Sequence, residues 1–290
     1  MHPTRWLSRL ILAVPLLLPA FLAPSAAAQG TARVMDIDGS AISSAMGGAS
    51  AAVFWSAEPN YWANPALLGY HQGVRYQYAR SQLVPGLATD VFLTSDRVTL
   101  GAYGAGLEVG RTRLDYGVSE IVDESGNALG EFESYEEVGA ITVGLSASGL
   151  VRSIAPGSSV AALARNLDLA VGFARKDVEV MLAPWWAAEA SGNPCDVGAL
   201  LRAGLDLGAL GGAAPVRLEA GLGASVLNFN DVEFTFINED ESVPPSRMRR
   251  LGGTARLALG RPAAWSPPAG RACRGVRPRR PDRGVAAGGD

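Results

Sequence analysis

Short segments of alternating apolar and polar residues fill most of this chain, and they constrain its fold more than any other feature. Successive side chains of a β-strand point to opposite faces. In the stretch "VRYQY", the side chains of Val74, Tyr76 and Tyr78 would therefore share one face. The same apolar face recurs in Val98–Ala102, Ile141–Leu145, Leu167–Phe173, Val178–Leu182, Leu201–Leu207, Val216–Leu222 and Gly253–Leu259. The pattern predicts an all-β, antiparallel protein.

The opposite face of several segments carries charge. Arg202 and Asp206 alternate with leucines, and Arg217 and Glu219 do the same in the next segment. Leucine and valine on one face with arginine and carboxylate on the other are typical of a wall between lipid and a wet interior. A soluble β-sandwich also alternates. About nine or more strands of near ten residues, with glycines inside them, favour a membrane barrel.

The first 28 residues predict export. Arg5 and Arg9 precede an apolar run from Leu10 to Ala23, and small residues follow as far as Ala28. This order is typical of a secretory signal peptide, so cleavage is expected after Ala28. The apolar run is shorter than the roughly 18 to 20 residues of a spanning helix, and no other stretch is long and uncharged enough. Passage through a membrane would therefore use strands.

Composition narrows the function classes. The net charge of -3 argues against nucleic acid as a partner. Beyond the leader, the only cysteines and histidine are Cys195, Cys273 and His71, so we expect neither a zinc site nor a cofactor. The 290 residues suffice for one large domain.

Motifs of catalysis are incomplete. The stretch "GLSASG", from Gly144, resembles a nucleophile elbow, but Ser148 stands where that motif closes with glycine. The stretch "GAGLEVG", from Gly104, lacks the dinucleotide-binding spacing. Glu136 and Glu137 are adjacent, so in a strand they face opposite sides and cannot share a proton. We expect no enzymatic activity.

The stretch "DESGNALG", Asp123 to Gly130, predicts a hairpin turn, because Asp, Ser, Asn and Gly favour turns. A calcium loop built on Asp123, Ser125 and Asn127 is the alternative. Ala128 and Ser134 stand where such a loop needs its glycine and its bidentate glutamate. The turn is therefore favoured.

Residues 29–72 differ from everything that follows. The stretch "AMGGASAAVFWSAEPNYWANPALLG" combines small residues, two tryptophans and the Asn64-Pro65 pair. Small residues allow close approach of backbones, and Asn-Pro favours a turn. A periplasmic linker would have no use for these aromatic side chains. We expect this segment to be a plug inside the lumen of the barrel.

The same stretch resembles the opening of PorV/PorQ-type outer-membrane proteins, which are related to the FadL-type fatty-acid transporters. The resemblance rests on a motif of eight plug residues, and further matches follow in order to about residue 260. The motif residues are Met46, Gly47, Gly48, Ala49, Asn64, Pro65, Ala66 and Leu68. It implies a barrel of roughly 14 strands in the outer membrane, in contact with its lipid. It also implies transport or type IX-like protein secretion, with secreted substrate proteins, other secretion components or hydrophobic small molecules as partners, or else a structural or docking role.

After Gly260 the alternation stops. Residues 261–290 hold seven Arg and two Asp among many Pro, Gly and Ala. A disordered basic tail is one interpretation, and a frameshift or truncation is the other. The chain has 24 Arg and a single Lys, which indicates GC-rich coding DNA, and such DNA read out of frame yields these residues. Because a membrane barrel must close, we favour the frameshift and expect residues 73–260 to form an incomplete barrel, unstable as a monomer.

Overall fold

A computed structural model describes residues 32–56, 59–86, 88–182, 184, 189–209, 215–230, 232–235 and 242–259. The predicted signal peptide, residues 1–28, and the tail, residues 261–290, lie outside the described residues. Among the residues described, no helix combines the length and the apolar character needed to cross a membrane.

The chain enters the structure through three short helical turns. They are the 3-10 helix Arg33–Met35, helix α1 (Ala41–Ala45) and the 3-10 helix Pro65–Tyr70. Ser40 caps α1 by accepting a hydrogen bond from the Ser43 amide, and Asn64 caps the second 3-10 helix through the Ala66 amide. Short polar side chains at these positions satisfy amides that have no partner within the helix. Residues 32–72 are called the N-terminal segment below.

Strands make up most of the remaining chain. They are β1 (Gly73–Gln82), β2 (Phe92–Ala102), β3 (Ala105–Val122), β4 (Ala128–Ser146), β5 (Leu167–Met181), β6 (Glu189–Gly192), β7 (Cys195–Ala209), β8 (Pro215–Leu227), β9 (Phe234–Thr235), β10 (Ser242–Val243) and β11 (Met248–Leu259). Two helices, α2 (Ala147–Ile154) and α3 (Ser159–Leu163), connect β4 to β5.

Nine strands form one antiparallel sheet in the order β1-β2-β3-β4-β5-β7-β8-β11, with the short β6 beside β5. The strands β9 and β10 make a separate pair. The large sheet curls into a half-barrel, an incomplete β-barrel, which confirms the predicted fold class. Within the described residues, β1 pairs with β2 alone and β11 pairs with β8 alone.

The hairpin between β3 and β4 turns where the sequence predicts it. The Asp123 carboxylate accepts hydrogen bonds from the amides of Ser125 and Asn127, both at 2.8 Å, and from the Asn127 side chain at 2.9 Å. These bonds use the carboxylate oxygens to hold the turn and lower the pKa of Asp123. Of the residues proposed as calcium ligands, Asp123 thus bonds to the Asn127 side chain and to the Ser125 backbone amide.

Two features of the fold differ from the sequence-based interpretation. The helices α2 and α3 were not expected. Ser146 ends β4 and caps α2 by accepting a hydrogen bond from the Gly149 amide at 3.2 Å, and Ser158 caps α3 by accepting one from the Ala161 amide at 3.1 Å. Val178 and Val180 were grouped with the other apolar faces, but they belong to the same strand as Leu167 and lie buried on its inner face. The apolar side of β5 therefore changes from outer to inner within one strand.

Candidate functional site

The two faces of the curled sheet have opposite character. The outer, convex face exposes valine, leucine, isoleucine and phenylalanine, and the inner, concave face buries a mixture of polar and small residues against the N-terminal segment. On β2, Val98 and Leu100 are exposed while Arg97 and Thr99 are buried. This is the reverse of a water-soluble protein, in which the polar face is the exposed one.

One apolar row crosses seven strands of the outer face. Strand pairing places its members side by side, each directly opposite the next in the neighbouring strand. They are Val74, Leu100, Leu107, Val143, Phe173, Val197 and Val226. A parallel row below it holds Leu145, Val171, Ala199, Ala224 and Leu251. These and the adjoining apolar residues of the outer face are called the apolar band.

On β7, where the apolar band is long, its height matches that of the lipid-facing surface of membrane barrels. On β7 every outward residue from Val197 to Leu207 is apolar. Ten residue steps of a strand cover about 33 Å. At the tilt of roughly 40° found in membrane barrels, this length projects to about 25 Å, the height of their lipid-facing surface.

Charged and aromatic residues border the band at the end of the sheet nearest the β3–β4 turn. Arg111 and Arg113 pair with Glu137, and Arg113 Nη2 lies 2.7 Å from Glu133 Oε1. The Tyr76 hydroxyl donates to Asp96 at 2.9 Å. Arginine, carboxylate and tyrosine at one limit of an apolar surface are typical of the boundary between hydrocarbon and headgroups.

A row of glycines on the inner face forms a seat for the N-terminal segment. Gly101, Gly106, Gly144, Gly172 and Gly198 face one another in turn across β2, β3, β4, β5 and β7. We call them the glycine row. The 3-10 helix Pro65–Tyr70 packs on these strands so closely that a Cβ atom added to Gly144 would stand 2.7 Å from the Gly69 amide nitrogen. Glycine is required here because the two backbones leave no space for a side chain.

Asn64 fastens the segment to the sheet. Its side-chain nitrogen donates to the Ala51 carbonyl at 2.7 Å and to the Ala199 carbonyl on β7 at 3.1 Å, while its oxygen accepts from the Ala66 amide. Ser225 on β8 adds a bond from its hydroxyl to the Ala63 carbonyl at 2.6 Å. All of these groups except Ala199, which belongs to the outer face, are buried, so loss of the bonds among them would leave unsatisfied polar atoms.

The structure separates the plug-motif residues into two places. Asn64, Pro65, Ala66 and Leu68 are fully buried against the glycine row. Met46, Gly47, Gly48 and Ala49 form an exposed turn after α1. In this turn Gly47 and Gly48 have positive φ, a conformation that favours glycine. The turn borders a cavity of about 600 Å³ whose other side is β11, with Asp38 and Arg250 in its lining.

A buried ion pair lies under one tryptophan of the segment. Lys176 Nζ is 2.8 Å from Asp196 Oδ2 and 4.6 Å from the centre of the Trp62 ring. The Trp62 indole nitrogen donates to the Met35 carbonyl at 3.2 Å. The only lysine of the chain therefore connects the sheet to the N-terminal segment through a cation–π contact.

The residues considered for catalysis have structural partners. Ser146 and the Ser148 amide both donate to Asp168 at 2.7 Å, and the His71 Nδ1 is 2.9 Å from the Tyr61 hydroxyl. Glu136 points inward and accepts from the Val34 amide, whereas Glu137 points outward to arginines, as their adjacency predicted. In the part of the chain that the structure describes, no three metal-binding side chains come together.

The sequence alone did not predict that the glycines align in one row or that Lys176 and Asp196 form a buried pair. The signal for the first is the repeated inward glycine in successive strands, and the signal for the second is a single lysine in an arginine-rich chain. Pairing of the strands was needed to connect either signal to a site.

Comparison of the chain with protein-family models, with curated proteins and with solved structures finds no match. The function is therefore argued from the two faces of the sheet and from the seat of the N-terminal segment.

Proposed function

We propose that this protein is a non-enzymatic β-barrel component of the outer membrane, in contact with its lipid and acting in transport or protein secretion. One observation carries the proposal: the apolar band covers the exposed outer face, while the inner face buries polar and charged groups. Exposed apolar surface of this extent would drive aggregation in water, and lipid removes that cost.

The PorV/PorQ-type resemblance favours protein secretion as the first role. The geometry of the seat is compatible with it, because the 3-10 helix Pro65–Tyr70 fills the concave face without room for a side chain at Gly144 or Gly69. Free passage of a cargo past this seat would require the segment to move. A wall with a seated plug is better suited to holding or receiving a partner than to acting as an open pore.

FadL-like uptake of hydrophobic small molecules is the second candidate. The cavity beside β11 favours it, since about 600 Å³ is within the usual range of small-molecule sites. Asp38 and Arg250 in its lining suit an amphiphile with a charged head better than a wholly apolar compound.

The membrane part of the proposal is tested with a fluorophore at Leu201, the middle of the band on β7. A Leu201→Cys variant lacking the native cysteines, labelled and folded into phospholipid vesicles, should be quenched by a lipid-borne quencher. The same label at Val118, beyond the charged border, should respond only to an aqueous quencher. Equal aqueous quenching at both positions would contradict the proposal.

The secretion and uptake roles are separated in cells. Co-purification of secreted proteins with the wild-type protein, lost in the seat variant Gly144→Ala, would support secretion. Uptake of a labelled fatty acid that depends on the protein would support the second candidate. If the protein is folded in the membrane and neither effect is seen, a structural or docking role is the conclusion.

A further inference from the structure

The helices α2 and α3, with the residues between and just after them, form a helical hairpin of residues 147–166 at the end of the sheet opposite the β3–β4 turn. It is held there by close backbone contact, since Gly149 in α2 and Gly104 in the β2–β3 turn leave no space for a Cβ atom on either residue. Ser148, Ala161 and Ala164 are the buried residues of the hairpin. The hairpin is therefore a fixed part of the molecular surface.

Three large apolar side chains of the hairpin point away from the protein. Ile154 is 81% exposed, Leu163 is 63% exposed and Val160 is 57% exposed. Val160 and Leu163 are three residues apart in α3 and so lie on one side of that helix. Such exposure has no explanation in the packing of the hairpin on the sheet.

The hairpin stands in the part of the sheet where the apolar band is short. On β4 the outward apolar residues run only from Ile141 to Leu145, four residue steps or about 13 Å, against about 33 Å on β7. Immediately after Leu145 the chain enters α2, and it leaves the hairpin at Leu167, the first outward apolar residue of β5. The exposed side chains of the hairpin therefore continue the band beyond the end of β4.

Its charge has one sign. Residues 147–166 contain Arg152 and Arg165 and no Asp or Glu. Apolar side chains beside arginine on a helical surface are typical of segments that lie at the boundary of hydrocarbon and anionic headgroups.

We propose that the helical hairpin 147–166 is an interfacial anchor, with Ile154, Val160 and Leu163 in the upper hydrocarbon and Arg152 and Arg165 at anionic phospholipid headgroups. The inference rests on the proposed function, because it requires the band to face lipid. It adds to that function a surface that sets the depth and tilt of the sheet in the bilayer where the outward apolar residues of β4 are too few to span the hydrocarbon.

The test places a fluorophore in turn at Leu163→Cys, Leu201→Cys and Val118→Cys, in a protein lacking its native cysteines and folded into vesicles with or without phosphatidylglycerol. The fluorophore at position 163 should be quenched by lipid-borne quenchers placed near the headgroups. Its emission should shift further to the blue when the anionic lipid is present. Arg152→Gln with Arg165→Gln should abolish that dependence on anionic lipid. Val160→Cys gives a second position if Leu163→Cys fails to fold.

The outcomes separate the two proposals. Lipid quenching at Leu201 together with purely aqueous quenching at Leu163 would overturn the anchor and leave the membrane wall in place. Aqueous quenching at both would overturn the wall, and the anchor with it. Shielding of Leu163 from the aqueous quencher without any lipid quenching would indicate that a second protein copy covers the hairpin, which also overturns the anchor.

Discussion

Lys176 Nζ lies 2.8 Å from Asp196 Oδ2, and both side chains are almost completely buried, at 1% and 2% exposed. Asn228 contacts both charges. Its side-chain oxygen accepts a hydrogen bond from Lys176 at 3.2 Å, and its backbone amide donates one to Asp196 at 2.8 Å. Every charge in this group has a hydrogen-bonded partner. A buried pair of this kind tolerates the loss of one member poorly, because the other is left as an uncompensated charge.

Replacing Lys176 with methionine should therefore destabilise the fold by about 3 to 5 kcal/mol. The measurement is a urea titration in detergent micelles followed by tryptophan fluorescence. Arg175→Met is the matched control, because Arg175 is the next residue on the same strand and is exposed on the outer face. That control should change stability by at most about 0.5 kcal/mol. Equal effects of the two variants would show that the buried pair contributes nothing particular.

Adding one methyl group to the glycine row should loosen the N-terminal segment. In Gly144→Ala the new Cβ would stand 2.7 Å from the Gly69 nitrogen and 2.8 Å from the Pro65 oxygen, both backbone atoms. Overpacking of this kind costs about 1 to 3 kcal/mol. Limited proteolysis should then cut within residues 59–72, which the wild-type protein protects.

The control for this variant lies on the same strand. A Cβ at Gly139 would meet only the Asp177 carbonyl oxygen, at the ordinary distance of 3.9 Å. Gly139→Ala should leave the protease pattern unchanged. If both alanine variants are cut alike, close packing at the seat is not what holds the segment.

A charge placed in the apolar band should impair insertion. Val171 is exposed on the outer face between Leu145 and Ala199. On the lipid-facing side of a membrane sheet, arginine near the middle of the bilayer costs about 2 to 4 kcal/mol. The fraction of Val171→Arg that folds into phospholipid vesicles should fall accordingly, whereas Val118→Arg, beyond the charged border, should fold as the wild type does. Unimpaired insertion of Val171→Arg would count against lipid contact at this face.

Acid should weaken the N-terminal segment through His71. This residue belongs to the segment rather than to a strand, and burial, followed by the charge of Arg75, lowers its pKa to about 4. An unfolded histidine has a pKa near 6.5. Because the fold favours the neutral imidazole, this contribution to stability is complete above pH 6.5 and is lost as the pH falls from 6.5 towards 4.

The His71→Gln variant isolates that contribution, since glutamine is polar but does not titrate. Urea midpoints of the wild type should fall more steeply between pH 6.5 and 4 than those of the variant. Carboxylates that titrate in this range affect both proteins alike, so parallel curves would exclude His71 as the cause.

The alternation of residues allowed most of the fold to be predicted. Val74, Tyr76 and Tyr78 point outward in β1, and Ile141, Val143 and Leu145 point outward in β4, because a strand has a fixed period of two. The same rule predicted that Glu136 and Glu137 face opposite sides. These properties depend only on residues that are close together in the chain, so a single sequence is enough to predict them.

Local patterns misled where tertiary contacts decided. Val178 and Val180 alternate as well as any outward pair, yet they face the interior, because the strand that begins at Leu167 continues through them without a break in phase. The helical hairpin follows directly after a strand, and Ser146 is the only residue at that point whose type indicates the start of a helix. Alternation does not predict that the hairpin packs against Gly104.

The sequence by itself determined the all-β class, the two faces of most strands and the distinct character of residues 29–72, since each depends on the spacing of neighbouring residues along one chain. Only the tertiary structure decided which glycines align, which residues of the N-terminal segment meet them, and that Lys176 reaches Asp196 beneath Trp62. The physical reason is that both kinds of contact are non-local: strand register aligns glycines from different strands, and packing of the N-terminal segment brings Asn64 against Ala199, 135 residues later in the chain. No local preference carries that information.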